Sequence, residues 1–470
     1  MKNRRPLIGA AAGIAAAVAF LSAQQPADIT TRSTGAGKPA IAITDMRGSG
    51  DAQRFMNVFN ETLWNEVSQS GQFKMAAKSF YPLQVPQQPS DFKPPAAAPA
   101  APARRGQPPA QPVRNGPWLT DWSGPPVNAQ YLAFGYSAVQ NDQLVLFGWF
   151  YDVTRPDPAA AQIIGKLYFG PISEDGARKV AREFAADILS QFGAKTLIGT
   201  RIYFVSNRTG SKEIWQMDYD GSNQKPITKY GSVSTFPCVS ADGTKVAFTT
   251  WYRGNPSIFV HSLETGRKLP FFNQNAALNA PSDFMPDGKE LLLYSTAAGS
   301  NAQIFRANVD GSNWRRISSG RAIEVEAKVN PKTGSDLVFV SGRGGPPQIY
   351  RMNIDGADIS RLTTGEGEAV NPSWHPDGQK IAFAWTRGFE PGNFNIFVMD
   401  VASGTTTQLT HGSGRNEDPS WAPDGLHIVF SSKRGRSMQL YSMLADGTQV
   451  KQLTTAGNNE KPVWGKSSIP

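Results

Sequence analysis

Carboxylates recur through the second half of the chain, and a regular subset of them is followed by glycine. Asp242-Gly243, Asp287-Gly288, Asp377-Gly378 and Asp424-Gly425 hold one place in a repeating unit; Asp310-Gly311, Asp355-Gly356 and Asp446-Gly447 hold another. Regularly spaced carboxylates could bind a row of metal ions or pair as general acid and base. Their setting argues for something plainer. Asp-Gly supplies the positive backbone dihedrals of a tight turn, and the Asp side chain bonds its own turn, so these pairs read as hairpin corners. None lies in a continuous calcium-loop pattern. The four histidines, His261, His375, His411 and His427, include no pair spaced to share one zinc-binding helix face. The chain has no Gly-x-Ser-x-Gly nucleophile elbow and no Gly-x-x-x-x-Gly-Lys phosphate cradle. Cys238 is alone, so no internal disulfide forms, and in a strand-like segment it reads as a small buried hydrophobe. These residues imply no catalytic group, no metal and no cofactor.

The elements behind those turns are repeats. Pro372-Ser373-Trp374-His375-Pro376-Asp377-Gly378 returns as Pro419-Ser420-Trp421-Ala422-Pro423-Asp424-Gly425, with weaker copies at 239–243 and 284–288 and a degraded one at 329–332 that lacks Asp-Gly. Val239, Phe284, Val329, Trp374, Trp421 and Trp464 mark the register, at intervals of 45, 45, 45, 47 and 43 residues. Each unit continues with an apolar strand such as Leu337 to Ser341, a second such as Gln348-Ile349-Tyr350, and an edge strand such as Arg361-Leu362-Thr363. Four short strands in about 45 residues make one propeller blade. Arg201 to Thr228 supplies the last three strands of a unit and Pro462-Val463-Trp464 a lone first strand, so the two ends share a blade. The expected count is six blades over 200–466, closed on itself so that no sheet edge is left open. Trp374, Trp421 and Trp464, each at that fixed place in its blade, read as inter-blade packing rather than a ligand cage.

Residues 28–195 read as an α/β domain. Ile41 and Ile43 mark a strand; Phe55, Val58, Phe59, Leu63 and Val67 fall at helical spacing after Asp51. Three β-rich runs within 131–169 suggest a meander, and Glu174 to Phe192 a second amphipathic helix stopped by Gly193. Pro82 to Pro117 holds 11 prolines in 36 residues without apolar periodicity and reads as a disordered insert. Residues 1–23 have the outline of a secretory signal peptide: Lys2, Arg4 and Arg5, then an apolar run from Leu7 to Leu21. That run is shorter than the roughly 20 residues of a spanning helix, and no later stretch is long and apolar enough to span. Formal net charge is +9, three charges of which lie in the leader; the rest are scattered, which argues against nucleic acid as a partner.

Polar residues just before each first strand gather where the chain enters a blade near the axis. Thr235, Phe236, Asn279, Glu326, Asn371, Glu417, Asp418, Glu460 and Lys461 therefore ring one mouth of the channel and form the natural binding surface.

In this order, an N-terminal α/β domain followed by an all-β six-bladed β-propeller, the chain resembles the TolB family. The most specific stretches are Arg201-Ile202-Tyr203-Phe204-Val205-Ser206 and Met217 to Gln224, backed by the Pro-Ser-Trp-x-Pro-Asp-Gly anchors. The resemblance implies a monomeric, non-enzymatic periplasmic scaffold without cofactor. It would link a Pal-like peptidoglycan-associated lipoprotein to a TolA-like inner-membrane protein, serving envelope integrity and constriction at division. Carried over by position, the Pal-facing residues are Leu278, Asn279, Ala280, Glu326, Asn371, Asn416, Glu417, Asp418, Glu460 and Lys461. The TolA-facing segment is Asp28, Ile29, Thr30 and Thr31. Similar anchors occur in the propellers of prolyl-oligopeptidase-like enzymes, so a peptidase-like or glycan-acting hydrolase, or a small-ligand sensor, is the other expectation.

Overall fold

The computed structural model describes residues 37–95, 116–388, 392–412 and 414–466. Residues 1–23, expected to be a leader, the 28–31 segment and most of the proline-rich insert lie outside them. The chain divides into two compact units, residues 1–198 and 199–470.

In the first unit a mixed sheet runs in the order β3 (Lys74–Met75), β1 (Ala40–Ile43), β4 (Tyr131–Gln140), β5 (Gln143–Asp152), β6 (Gln162–Gly170), with β2 (Arg47–Gly48) also pairing β4. Asn141 and Asp142 take φ of 48° and 57°, the left-handed pair that a two-residue hairpin between β4 and β5 requires. Strand alternation sends Ile41 and Ile43 to one face and Ala42 to the other. On the first face lie helices α1 (Met56–Gln69) and α2 (Glu174–Ser190). Their stripes Phe59, Leu63, Val67 and Val180, Phe184, Ile188 close one core with Leu146 and Phe150. Ser173 caps α2 by accepting the Gly176 N–H at 3.1 Å.

The opposite face carries a second core, and here the composition-based boundary of the insert moves. Residues 82–95 are not a solvated excursion: Pro89–Asp91 forms a 3-10 turn, and the Phe92 ring is buried against Phe134 at 5.4 Å and Tyr151 at 5.7 Å. A single aromatic anchor in a proline-rich stretch has no periodicity, so pattern reading passes over it.

The second unit consists of six four-stranded antiparallel sheets, as the repeats require. The last sheet joins Asn459–Lys466 to Thr200–Thr209, with Trp464 opposite Ile202. Trp374, Trp421 and Trp464 are buried, and His375 meets Trp421 edge-on at 4.6 Å from the adjacent blade. Each Asp-Gly corner has its expected geometry: Gly243, Gly288, Gly378 and Gly425 have φ between 68° and 73°. Asp242, Asp287, Asp377 and Asp424 each accept the N–H two residues on, at 2.8 to 3.0 Å. In the degraded copy Asn330 takes over that acceptor role toward Lys332 N–H at 3.0 Å.

Most outer strands are only two residues long, too short to hold by ladder bonds alone. A repeated side-chain pin compensates. Thr363 Oγ1 accepts the Ile349 N–H at 2.9 Å and donates to Gln348 Oε1 at 2.7 Å; Thr410 with Asn395 and Thr454 with Gln439 repeat the arrangement. The recurrent Gln-Ile and Leu-Thr pairs of the sequence are this pin.

A candidate partner-binding mouth on the propeller

Every innermost strand is bulged, and the bulges build the mouth. In five blades the ladder skips two residues, the first of which has left-handed φ: Phe236 at 55°, Glu326 at 55°, Asn371 at 53°, Asp418 at 51° and Lys461 at 51°. Such φ values are uncommon outside glycine and swing the side chain off the ladder. The sixth blade has Pro281 at this place, whose ring forbids positive φ, and its ladder skips the single residue Ser282 instead. The skipped residues are among those lining an axial cavity of about 270 Å³.

Their polar groups bond one another around the axis. The Asn371 N–H donates to Glu326 Oε2 at 2.8 Å and its Nδ2 to Oε1 at 3.1 Å. The Asp418 N–H donates to Asn371 Oδ1 at 3.4 Å. Lys461 donates its N–H to Asp418 Oδ2 at 3.2 Å and its Nζ to Oδ1 at 3.3 Å, and the ammonium sits 5.0 Å from the Phe236 ring centre. Phe236 meets Tyr294 edge-on at 6.0 Å. Burial works against the Lys461 charge, but Asp418 and behind it Glu326 outweigh this and hold the ammonium well above its ordinary range.

One layer deeper, burial pushes the Asp283 carboxyl up, opposed by Lys328 and by the Val329 N–H, which donates to it at 3.0 Å. Ser373 and Ser420 stand at the same register and accept the N–H of Trp421 and Trp464 at 3.2 and 2.9 Å, stitching neighbouring blades. Asp283 and Lys328 were not singled out from the sequence. Aligning the copies two residues past the bulge, at Cys238, Asp283, Lys328, Ser373, Ser420 and Val463, would have exposed them.

The structure separates the ten mouth residues expected from the sequence. Glu326, Asn371, Asp418 and Lys461 line the cavity. Glu417 is buried and paired with Arg415 at 2.6 Å, its carboxyl pushed up by burial; Glu460 pairs with Lys212. Leu278 packs with Phe236 against buried Ala280 and Tyr294. Asn279 and Asn416 are buried at the strand starts, accepting Ser295 Oγ and Ser432 Oγ at 2.7 Å, so their side chains pin the blade. Sequence position alone does not distinguish these uses. Asp28, Ile29, Thr30 and Thr31 lie outside the described residues. Among the described residues no group of three or more His, Cys, Asp or Glu side chains could hold a metal ion, and no helix is long and apolar enough to cross a membrane.

Known proteins match this architecture. The chain is 36% identical over 165 residues to the protein TolB homolog of Chlorobaculum tepidum, covering 35% of this chain and 37% of that protein. It is 32% identical over 215 residues to the homolog of Chlorobium chlorochromatii, 46% of each. It is 32% identical over 194 residues to the Tol-Pal system protein TolB of Desulfosudis oleivorans, 41% of this chain and 42% of that one. The chain thus spans less than half the length of these curated relatives. The crystal structure of TolB from Acinetobacter baumannii superposes with a TM-score of 0.64 at 22% identity, covering 92% of this chain and 97% of that one, a likeness of fold. The family model described as the TolB beta propeller domain matches residues 191–388 and 365–468. With six closed blades and this match over more than half its length, the chain belongs to the TolB β-propeller family.

Proposed function

We propose that the protein is a non-catalytic, periplasmic binding scaffold of a Tol-Pal envelope system, working as a monomer without cofactor. Its propeller mouth takes a Pal-like peptidoglycan-associated lipoprotein, and its N-terminal segment around Asp28 to Thr31 engages a TolA-like inner-membrane protein. In this reading residues 1–23 are a leader, 28–195 and 200–466 are the two working domains, and the assembly serves envelope integrity and constriction at division. The observation that carries it is the ring of bulged residues. Glu326, Asn371, Asp418 and Lys461 use their polar atoms on each other and hold a rigid rim, as a docking surface needs, instead of converging on a point where a reacting atom could sit. Family membership and the Desulfosudis relative support the same assignment.

The test is binding of the lipid-free domain of the same organism's peptidoglycan-associated lipoprotein. We expect saturable binding that weakens about tenfold in a Glu460→Lys variant, since a charge misplaced at a rim costs specific association. No binding at 100-fold molar excess of lipoprotein, or turnover of a peptide or glycan panel that is lost on Glu326→Gln, would sink the proposal.

A further inference from the structure

Outside the bulged ring lies a second repeated feature that none of the functional reasoning used. The connection between second and third strands opens at the same end as the mouth, because each first-strand start pairs with a second-strand end: Glu324 with Ser341, Ala369 with Trp385, Asn416 with Ser432. In five of six blades an arginine stands at this end, one to three residues past the last pairing of the second strand with the first. Each guanidinium lies over an aromatic ring of its own blade: Arg208 on Trp215 at 4.5 Å, Arg253 on Phe259 at 5.8 Å, Arg343 on Tyr350 at 5.2 Å, Arg387 on Trp385 at 4.9 Å and Arg434 on Tyr441 at 4.3 Å. Stacking fixes the plane of the guanidinium and leaves its N–H edge for a planar anion.

Among the described residues only Arg343 of the five has a carboxylate, Glu324. Arg208 uses neutral partners and Arg434 one hydroxyl, and among the described residues Arg253 and Arg387 make no side-chain hydrogen bond or ion pair. Arg253 is moreover beside a second cation, since Lys268 sits over the same Phe259 ring at 3.3 Å. Like charges gathered without counter-ions cost free energy in the isolated protein, and an anionic partner removes that cost. Inside the arginine circle the excess of positive charge ends, for Glu326 and Asp418 line the cavity wall together with Lys328 and Lys461.

The geometry points to a partner of specific charge layout: a folded protein whose contact face carries carboxylates in a wide circle around a neutral centre. The inference rests on the scaffold reading above and gives the docked partner its chemistry. The sixth blade has Ala297 at the arginine position, its N–H received by Ser295 Oγ at 3.0 Å as Arg343 N–H is by Ser341 Oγ at 3.2 Å, so the circle has one gap.

The test uses the full chain and four forms: wild type, R253A/R387A/R434A, a charge-matched control R267A/K289A/K451A at the far ends of the strands, and A297R. On immobilised poly-L-glutamate we expect the first triple to elute at distinctly lower salt than wild type, the control triple at wild-type salt, and A297R later. Against the lipid-free lipoprotein domain, the first triple is expected to bind about tenfold more weakly and with a flatter salt dependence. Equal elution of the two triples overturns the inference. So does lipoprotein affinity unchanged in R253A/R387A/R434A while wild type binds, an outcome that leaves the scaffold proposal standing. If wild type does not bind the lipoprotein at all, the scaffold proposal falls and the glutamate column alone decides the arginine circle. Retained circular dichroism in each variant shows that folding is not the cause.

Discussion

Asp418 holds Lys461 twice, once through the backbone N–H at 3.2 Å and once through Nζ at 3.3 Å, and so joins the blade that begins with Arg415–Trp421 to the blade made from both chain ends. Asp418 Oδ2 also accepts Ser431 Oγ at 2.9 Å, so one carboxylate serves three donors in two blades.

Asp418→Ala should therefore weaken ring closure. It strands the Lys461 N–H and leaves the ammonium facing the Phe236 ring without its anion. Both partners are largely but not wholly buried, so the expected loss is about 2 kcal/mol, below the cost of breaking a fully buried pair. Urea unfolding of the two proteins measures it; a difference under about 0.5 kcal/mol contradicts the role given to this contact.

Thr363→Val keeps the shape of a buried side chain and deletes the pin. The Ile349 N–H and Gln348 Oε1 lose their partner in the blade interior. Leaving a buried donor unpaired costs about 1 to 3 kcal/mol, so a midpoint shift of that size is expected, with an unchanged denaturant slope.

Two glycines of nearly equal φ separate backbone strain from crowding. Gly378 has φ of 73°, and a Cβ there would come 2.2 Å from Asn330 Oδ1 and 2.9 Å from Lys332 Cβ; Gly388 has φ of 75° with nothing within 4 Å among the described residues. Gly388→Ala should cost about 1 kcal/mol from the left-handed backbone alone. Gly378→Ala should cost at least twice that, because Asn330 must leave the turn it stabilises. Equal losses in thermal unfolding would show that the neighbouring blade yields freely.

His261 should make stability sensitive to acid. Its Nε2 lies 2.7 Å from the Tyr230 hydroxyl, while Nδ1 is buried without a hydrogen-bond partner among the described residues. Burial, followed by Lys268, holds the imidazole down to about 4. The folded value lies below the ordinary one, so between them the unfolded chain binds more protons. The contribution is complete above pH 6.5 and declines as pH falls toward 4. Wild type is expected to lose about 2 kcal/mol more than His261→Phe between pH 7 and 4.5, after allowance for partial solvent access. Parallel pH profiles for the two proteins would remove His261 from the account.

Blade number, corner residues and ring closure were readable from the chain because each depends on local pattern repeated six times. Asp-Gly must turn wherever it occurs, a Val or Trp at fixed spacing must face the next sheet, and an unmatched first strand must find unmatched partners. Which polar residue faces the axis was not readable. Asn416, Glu417 and Asp418 are consecutive, yet the first pins a blade, the second is buried on Arg415, and only the third lines the cavity. The deciding quantity is a φ of 51° at Asp418, imposed by the bulge and held by bonds to residues 43 and 47 positions away. Phe92 is the same lesson in the first unit: a lone ring among prolines has no period, and only the pocket between Phe134 and Tyr151 gives it a place. The sequence by itself determined the elements and how many there are. Tertiary structure alone decided which side chains within them are spent on packing and which are left at the mouth, since long-range contacts select among backbone states that local preference leaves close in energy.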